Sequence, residues 1–215
     1  GPGRPQRTGM ILEDNPPAGP GRPDAHFQAR TARIAVIGLG YVGLPLALAL
    51  CGAGFPTTGF DIDTGKTGQL NAGRSYIRQI ADARIAAAVA TGRFHATSDA
   101  AALDAADAVI ICVPTPLTPQ REPDLGFVVA TARMIRDHLR PGQLIVLEST
   151  TYPGTTREVL IPKLTVGYEL GKDVFIAFSP ERVDPGNEKW GIKNTPKVLG
   201  GATPARILIR AVGPG

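Results

Sequence analysis

Three glycines and one aspartate have the residue types and the spacing that bind a dinucleotide. Gly38, Gly40 and Gly43 follow the apolar run 33–37 with G-x-G-x-x-G spacing, and Asp61 lies about 20 residues farther on. Because glycine lacks a Cβ, the three positions permit a tight turn, close approach of a pyrophosphate, and close packing of a helix on a strand. The free N–H groups at the start of that helix attract phosphate charge.

Asp61 distinguishes between the two common nicotinamide dinucleotides. A carboxylate at this position can accept hydrogen bonds from the ribose hydroxyls of adenosine, and it would repel a 2′-phosphate. The sequence therefore predicts binding of NAD in preference to NADP. The alternative interpretation is a glycine-rich turn in an α/β core that holds no ligand.

The elements that must position these residues alternate along the chain. Apolar, β-branched runs predict strands, and helical patterns lie between most of them. This alternation predicts a doubly wound, Rossmann-type α/β fold, with a parallel sheet and helices on both faces. The expected strands are 33–37, 55–60, 94–96, 108–113, 144–147, 174–178 and 197–200, and the expected helices are 44–53, 64–70, 81–90, 100–103, 127–139 and 155–160.

Polar segments follow four of the predicted strands. They comprise residues 38–43, 114–118, 149–154 and 179–186. In a doubly wound sheet these segments share the edge at which ligands bind, so one crevice can collect all four. We expect side-chain caps at the start of two predicted helices. Ser98 or Asp99 should cap the helix that begins at Ala100, and Thr155 should cap the helix that runs to about residue 160.

Composition excludes several classes of protein. The chain has 215 residues, of which 43% are hydrophobic and 20% charged, as in an ordinary globular protein. Its net charge of +4 comes largely from scattered arginines, so we expect no nucleic-acid partner. No apolar stretch is long enough to span a membrane, and no secretory signal opens the chain. The three histidines match no motif, and no metal site is predicted. The two cysteines, Cys51 and Cys112, lie in apolar runs and are expected to be reduced core thiols, which favours a cytoplasmic location.

The predicted domain organisation has three parts. Residues 1–30 are rich in Gly, Pro and Arg and are expected to form a disordered extension, although residues 25–30 could dock on the domain. Residues 31–204 are expected to form the NAD-binding domain. Residues 205–215 form a tail that matches no pattern, which suggests a truncated or frameshifted gene product or a fragment.

Five motifs together resemble those of the UDP-glucose/UDP-N-acetylhexosamine dehydrogenases. They occur in the family's order and at similar spacing, and with SYIRQI (75–80) and REPD (121–124) they look most like the bacterial UDP-N-acetylglucosamine 6-dehydrogenase branch. The resemblance covers roughly residues 32–204. The motifs are GLGYVGLP in the glycine turn, CVPTP (112–116), ESTTYPGTT (148–156), SPERVDPGN (179–187) and PKVLGG (196–201).

The resemblance implies an oxidation in two steps, in polysaccharide biosynthesis. The C6 alcohol of a UDP-N-acetylhexosamine passes a hydride to NAD, a cysteine captures the resulting aldehyde, and a second NAD and water complete the conversion to the uronic acid. The implied partners are this UDP-sugar and, in the full-length family, a second copy in a homodimer. The matching positions imply that the pyrophosphate is held by Gly38, Gly40, Tyr41, Val42 and Gly43. They imply that Asp61 and Lys66 bind the adenosine ribose and that Thr115 and Thr150 line the cofactor crevice. They also imply that Glu181 acts as the acid/base and that Arg182 and Val183 contact the substrate.

The nucleophilic thiol that this chemistry needs has no match in the sequence. The family's nucleophile, a lysine and an asparagine that assist it, and a second UDP-binding domain would all follow the end of this chain. We therefore expect the chain to bind NAD but not to turn over alone. Two alternatives stay open: a non-catalytic NAD-binding module, and a β-hydroxyacid-type dehydrogenase, which shares the glycine turn but would not explain SPERVDPGN.

Overall fold

A seven-stranded sheet forms the centre of the protein. The computed structural model describes residues 26–27, 29–149, 155–178, 197–198, 200–201 and 208–209. Within these ranges the strand order is β3-β2-β1-β4-β5-β6-β8, with β1 to β6 parallel and β8 antiparallel to β6, while β7 and β9 form a separate antiparallel pair. The strands are β1 Ile34–Ile37, β2 Thr57–Phe60, β3 Phe94–Thr97, β4 Ala108–Ile111, β5 Gln143–Leu147, β6 Val174–Phe178, β7 Lys197–Val198, β8 Gly200–Gly201 and β9 Leu208–Ile209.

Helices connect the parallel strands and cover both faces of the sheet. The described α-helices are α1 Gly43–Gly52, α2 Thr64–Asn71, α3 Asp82–Ala90, α4 Gly126–Asp137 and α5 Ile161–Leu164. A 3₁₀ helix spans Ala100–Ala105, and a π-helix, Thr156–Leu160, runs directly into α5. The doubly wound, Rossmann-type fold predicted from the sequence is confirmed.

Successive residues of each central strand enter opposite cores. In β1, Ile34 and Val36 belong to the core beneath α1 and α3, whereas Ala35 and Ile37 belong to the core beneath α4 and α5. All four residues of β1 are buried. A strand covered on both faces must be apolar throughout, which explains the continuous apolar runs in the sequence.

The register of the sheet aligns the carboxyl ends of its parallel strands. Ile37 lies opposite both Phe60 and Ile111, and Leu147 lies opposite both Ile111 and Phe178. The polar segments that follow β1, β4 and β5 therefore begin at one edge of the sheet, as the sequence predicted, while the fourth predicted segment, 179–186, lies outside the described residues.

Local signals at helix ends were predicted with mixed success. Asp99 caps the 3₁₀ helix, because its side chain accepts a hydrogen bond from the N–H of Ala101. Gly54 closes α1 with a φ of 102°, in the left-handed region that favours glycine. The prediction for Thr155 is wrong, because Thr155 already has helical backbone angles and makes no side-chain cap. The polar character of a threonine before a helix does not fix where the helical backbone begins.

The residues just before the domain pack against it. Phe27 is 5% exposed and its ring lies 6.4 Å from that of Phe55, at an interplanar angle of 54°. Arg30 donates a hydrogen bond to the carbonyl of Ala53, at 2.8 Å. Docking of residues 25–30 is thus confirmed where those residues are described, and the boundary at residue 30 stays a prediction. No helix in the described ranges has the length and apolar character needed to cross a membrane.

Candidate cofactor-binding site

The turn between β1 and α1 needs glycine at two positions for reasons of packing. Gly38 has a φ of 91°, and a Cβ there would lie 2.7 Å from the carbonyl oxygen of Cys112, the residue directly after β4. A Cβ on Gly43 would lie 1.7 Å from the carbonyl oxygen of Gly38. No real Cβ can approach a backbone oxygen so closely, so both glycines are required by the fold itself.

Gly40 is different, because a Cβ at this position would meet no atom within 4 Å. Its φ also lies outside the left-handed region, so the backbone itself would accept another residue. The fold therefore leaves open space beside Gly40. Such space is what a pyrophosphate needs to approach the backbone.

The start of α1 presents backbone N–H groups to this open space. Among the described residues, the N–H groups of Gly40, Tyr41 and Val42 donate to no backbone or side-chain acceptor. Val42, at the N-cap position, provides no side-chain cap, and the first turn of α1 contains no acidic residue. The positive end of this ten-residue helix thus carries no acidic side chain of its own. This arrangement suits a phosphate group.

Asp61, at the end of β2, is buried and accepts two backbone hydrogen bonds. Its Oδ2 accepts from the N–H of Leu39 at 2.9 Å, and its Oδ1 accepts from the N–H of Asp63 at 3.0 Å. The first of these bonds ties the glycine turn to β2. Each carboxylate oxygen has a second lone pair, so both can also accept from ribose hydroxyls. Asp61 therefore has a structural role in addition to the binding role that the sequence predicted.

Lys66 lies on α2, with its ammonium group over an aromatic ring. Its Nζ is 5.6 Å from the centroid of the Tyr76 ring, a cation–π distance. The helix that carries Lys66 begins with a cap, because the side chain of Asp63 accepts from the N–H groups of Gly65 and Lys66. This cap fixes the start of the helix that carries Lys66 three residues after Asp61, and the predicted role of Lys66 at the adenosine ribose stays a prediction.

Tyr76 contacts the glycine turn directly. Its hydroxyl donates a hydrogen bond to the carbonyl oxygen of Leu39 at 2.5 Å. Burial raises the pKa of the Tyr76 hydroxyl far above its usual range, and the negative charges of Asp61 and Asp63 raise this pKa further. The hydroxyl is thus protonated at neutral pH and can donate this hydrogen bond.

Two exposed apolar side chains border the same site. Ile62, the residue after Asp61, is 80% exposed, and Tyr41, at the start of α1, is 72% exposed. Apolar side chains that the fold does not bury are available to cover a ligand. Sequence reasoning missed Ile62 and Tyr76. The only available signals were the position of Ile62 beside the predicted ribose carboxylate and the position of Tyr76 in the SYIRQI segment.

The far side of the crevice is built after β4 and β5. Thr115 is partly buried in the loop that follows β4, and Ser149, after β5, is 5% exposed. The Oγ of Ser149 donates to the carbonyl of Val113 at 2.8 Å, which joins the ends of the two strands. Glu148 is 2% exposed beside them. Thr150, Glu181, Arg182 and Val183, which the sequence also predicted as site residues, lie outside the described residues.

Cys51 and Cys112 form no disulfide with each other, and they differ in burial. Cys51 on α1 is 2% exposed, and its Sγ lies 3.7 Å from the Oγ1 of Thr91. Cys112 is only partly buried, and its Cβ lies beside Gly43, so the expectation of two core thiols holds fully for Cys51 alone. The reason is that β4 ends at Ile111, one residue before Cys112.

Comparison with known proteins identifies the family. The model of the NAD-binding domain of the UDP-glucose/GDP-mannose dehydrogenase family matches residues 32–212. The chain belongs to this family. The domain with the glycine turn and Asp61 is its NAD-binding domain, so the predicted cofactor, NAD, and the resemblance noted from the motifs are both confirmed.

Relatives within the UDP-glucose/GDP-mannose dehydrogenase family act on several nucleotide sugars. The chain is 34% identical over 174 residues to the UDP-N-acetyl-D-glucosamine 6-dehydrogenase of Pseudomonas aeruginosa, covering 80% of this chain and 40% of the relative. It is 36% identical over 181 residues to the UDP-N-acetyl-D-mannosamine dehydrogenase of Escherichia coli K12, covering 80% and 43%. The solved NDP-N-acetyl-D-galactosaminuronic acid dehydrogenase of Methanosarcina mazei superposes with a TM-score of 0.74 at 30% identity, covering 81% and 39%. The chain thus spans about 40% of the length of these relatives.

Proposed function

We propose that this chain provides the cofactor-binding part of an NAD-dependent dehydrogenase that oxidises the C6 hydroxyl of a UDP-N-acetylhexosamine to the uronic acid, for polysaccharide biosynthesis. One observation carries the proposal: the space beside Gly40 is open, unpaired N–H groups border it, and the Asp61 carboxylate lies at the adjacent strand end. These features fit the pyrophosphate and the adenosine ribose of NAD. When bound, NAD supplies the hydride acceptor.

Each residue of the described site has a distinct proposed role. The N–H groups of Gly40, Tyr41 and Val42 bind the pyrophosphate, while Gly38 and Gly43 allow the turn that presents them. Asp61 and Lys66 bind the adenosine ribose, and the exposed side chain of Ile62 covers one face of the adenine. Thr115, after β4, lines the side of the crevice towards the nicotinamide, and Thr150 is proposed for the same side.

The reacting groups proposed for the sugar remain those of the family resemblance. Glu181 is proposed to exchange protons with water, and Arg182 and Val183 are proposed to contact the substrate. The thiol that would capture an aldehyde is proposed to lie outside this chain. Cys51 cannot serve, since it is 2% exposed inside a hydrophobic core. Cys112 also packs against that core, beside the turn that we assign to the pyrophosphate.

The substrate class rests on what the relatives are named for. Among the relatives reported above, two are named for UDP-linked N-acetylhexosamines and a third for an N-acetylhexosaminuronic acid. The same proposal includes a homodimer of the longer protein. It also includes a cytoplasmic location, where both cysteines would stay reduced.

Calorimetric titration of the chain with NAD and NADP, followed by an assay of NADH formation, tests the proposal. We expect NAD to bind more tightly than NADP, and we expect no NADH when UDP-N-acetylglucosamine or UDP-N-acetylmannosamine is added to the chain alone. Adding a separately produced cysteine-bearing portion of a relative should restore UDP-sugar-dependent NADH formation. Binding of NAD without any such restoration would favour the non-catalytic module. Absence of NAD binding would refute the proposed role of the glycine turn.

A further inference from the structure

Leu39, the residue between the first two glycines of the turn, is anchored at three points. Its side chain is fully buried and packs on Gly59, where a Cβ would lie 2.9 Å from Leu39 Cδ1. Its N–H donates to Asp61, and its carbonyl accepts from the Tyr76 hydroxyl. The first two anchors are Gly59 on β2 and Asp61 directly after it, whereas Tyr76 reaches the turn from a separate segment, after α2.

The bond from Tyr76 fixes the direction of a second group. The carbonyl of Leu39 and the N–H of Gly40 belong to one peptide unit, and the described chain contains no cis peptide bond. In a trans peptide the C=O and the N–H point in opposite directions. The Tyr76 hydroxyl holds the carbonyl on its own side, so the N–H of Gly40 is directed away from Tyr76.

The ring of Tyr76 acts on the other half of the site. The Lys66 ammonium lies 5.6 Å from the ring centroid, and the carboxylates of Asp61 and Asp63 are close enough to shift the Tyr76 pKa upwards. A lysine that would otherwise sample many rotamers is thus attracted to the face of the ring whose hydroxyl bonds to the glycine turn. Hydroxyl and ring contact different parts of the cofactor site.

We infer that Tyr76 is a positioning residue for the cofactor, whose hydroxyl orients the pyrophosphate-binding turn and whose ring holds Lys66 beside the adenosine ribose. The inference rests on the placement of NAD proposed above and assigns to Tyr76 no contact with NAD itself. It predicts that the hydroxyl and the ring can be separated by mutation.

The hydroxyl is tested by comparing Tyr76→Phe with a matched control, Tyr168→Phe. Tyr168 also donates from its hydroxyl to a backbone carbonyl, that of Leu139 at 2.9 Å, but it packs in the opposite core. Tyr76→Phe should raise the Kd for NAD roughly threefold to tenfold, the effect of one lost hydrogen bond. Tyr168→Phe should lower the Tm about as much as Tyr76→Phe does, but it should leave the Kd for NAD unchanged. Equal Kd values for the two variants, measured by calorimetry on the full chain, would overturn the inference.

The ring is tested by a double-mutant cycle with Lys66. Lys66→Met should weaken NAD binding in the wild-type and Tyr76→Phe backgrounds, since both keep the ring, but should have little further effect in Tyr76→Leu. An equal cost of Lys66→Met in all three backgrounds would show that the ring does not position the lysine. If Tyr76→Leu fails to fold, the comparison of Tyr76→Phe with Tyr168→Phe still decides the role of the hydroxyl. Failure of the wild-type chain to bind NAD would refute the proposed function, and this inference with it. Normal binding by the wild type and by Tyr76→Phe alike would refute the role of the hydroxyl and leave the proposed function intact.

Discussion

Replacing Gly40 with alanine should weaken NAD binding without harming the fold. The new methyl group would meet no protein atom within 4 Å, and the backbone angles accept a non-glycine residue. A compatible Gly→Ala replacement stabilises a protein by about 0.4–1 kcal/mol through the unfolded chain. For a domain of this size the Tm should therefore rise by about 1–4 °C. Stability and binding should thus change in opposite directions.

The loss of affinity follows from the hydrogen bonds that the methyl group would displace. A hydrogen bond from a backbone N–H to a charged phosphate is worth about 1.5–3 kcal/mol. Loss of one such bond raises the Kd for NAD about tenfold to hundredfold. At an NAD concentration 100 times the wild-type Kd, bound ligand stabilises the wild type by about 2.7 kcal/mol. A variant with a hundredfold weaker Kd would gain only about 0.4 kcal/mol under the same conditions.

Calorimetric titration and thermal melts with and without NAD measure both quantities. The matched control is Gly52→Ala, near the end of the same helix, where a Cβ also meets no atom within 4 Å. Gly52→Ala should be stabilised as well but should bind NAD with the wild-type Kd. A stable Gly40→Ala variant with wild-type affinity for NAD would refute the placement of the pyrophosphate beside Gly40.

Three further predictions concern the same site. Gly43→Ala should destabilise the domain by at least about 3 kcal/mol in urea unfolding, because its Cβ would lie 1.7 Å from a backbone oxygen of Gly38; a normal unfolding midpoint would contradict this packing. Asp61→Asn should bring the Kd values for NADP and NAD closer together, and an unchanged ratio of the two would show that Asp61 does not select the cofactor. The same variant should have a lower Tm, because the amide nitrogen would face a backbone N–H donor. Above about pH 10, Tyr76 ionises in the unfolded chain, whereas its raised pKa keeps it protonated in the folded state. The free energy of unfolding therefore falls as the pH rises above about 10. Tyr76→Phe should make the alkaline loss of stability less steep in urea unfolding at several pH values, and identical slopes would speak against the burial of this hydroxyl.

The sequence was sufficient for the fold and for the glycine turn because both depend on local patterns. The pattern is local, because the buried run of β1, the three glycines and the acid after β2 all lie within about 30 residues. In that order they predict a strand, a turn, a helix, a second strand and a ribose-binding carboxylate. The strand ends were less predictable. The apolar run at 108–113 continues beyond β4, which ends at Ile111, because apolar residues in the following loop look the same as strand residues.

The contacts that complete the site could not be predicted, because they join distant segments. The hydroxyl of Tyr76 bonds to a carbonyl 37 residues earlier, and neither residue carries a pattern that announces the contact. The ring contact of Lys66 depends in turn on where Tyr76 lies. Periodicity describes which face of an element is buried, but it does not specify which loop side chain reaches a given backbone oxygen.

The three glycines of the motif meet different physical demands, which the sequence pattern alone does not separate. Gly38 and Gly43 are fixed by contacts within the protein, so their replacement would be harmful even in a domain that bound nothing. Only Gly40 is free of such contacts, and a need for glycine there must come from outside the fold. Asp61 combines both demands, since the atoms that would select NAD also hold Leu39 in the turn. A replacement that abolishes binding at Gly38, Gly43 or Asp61 therefore reports on the fold as well as on the ligand, whereas one at Gly40 reports on the ligand alone.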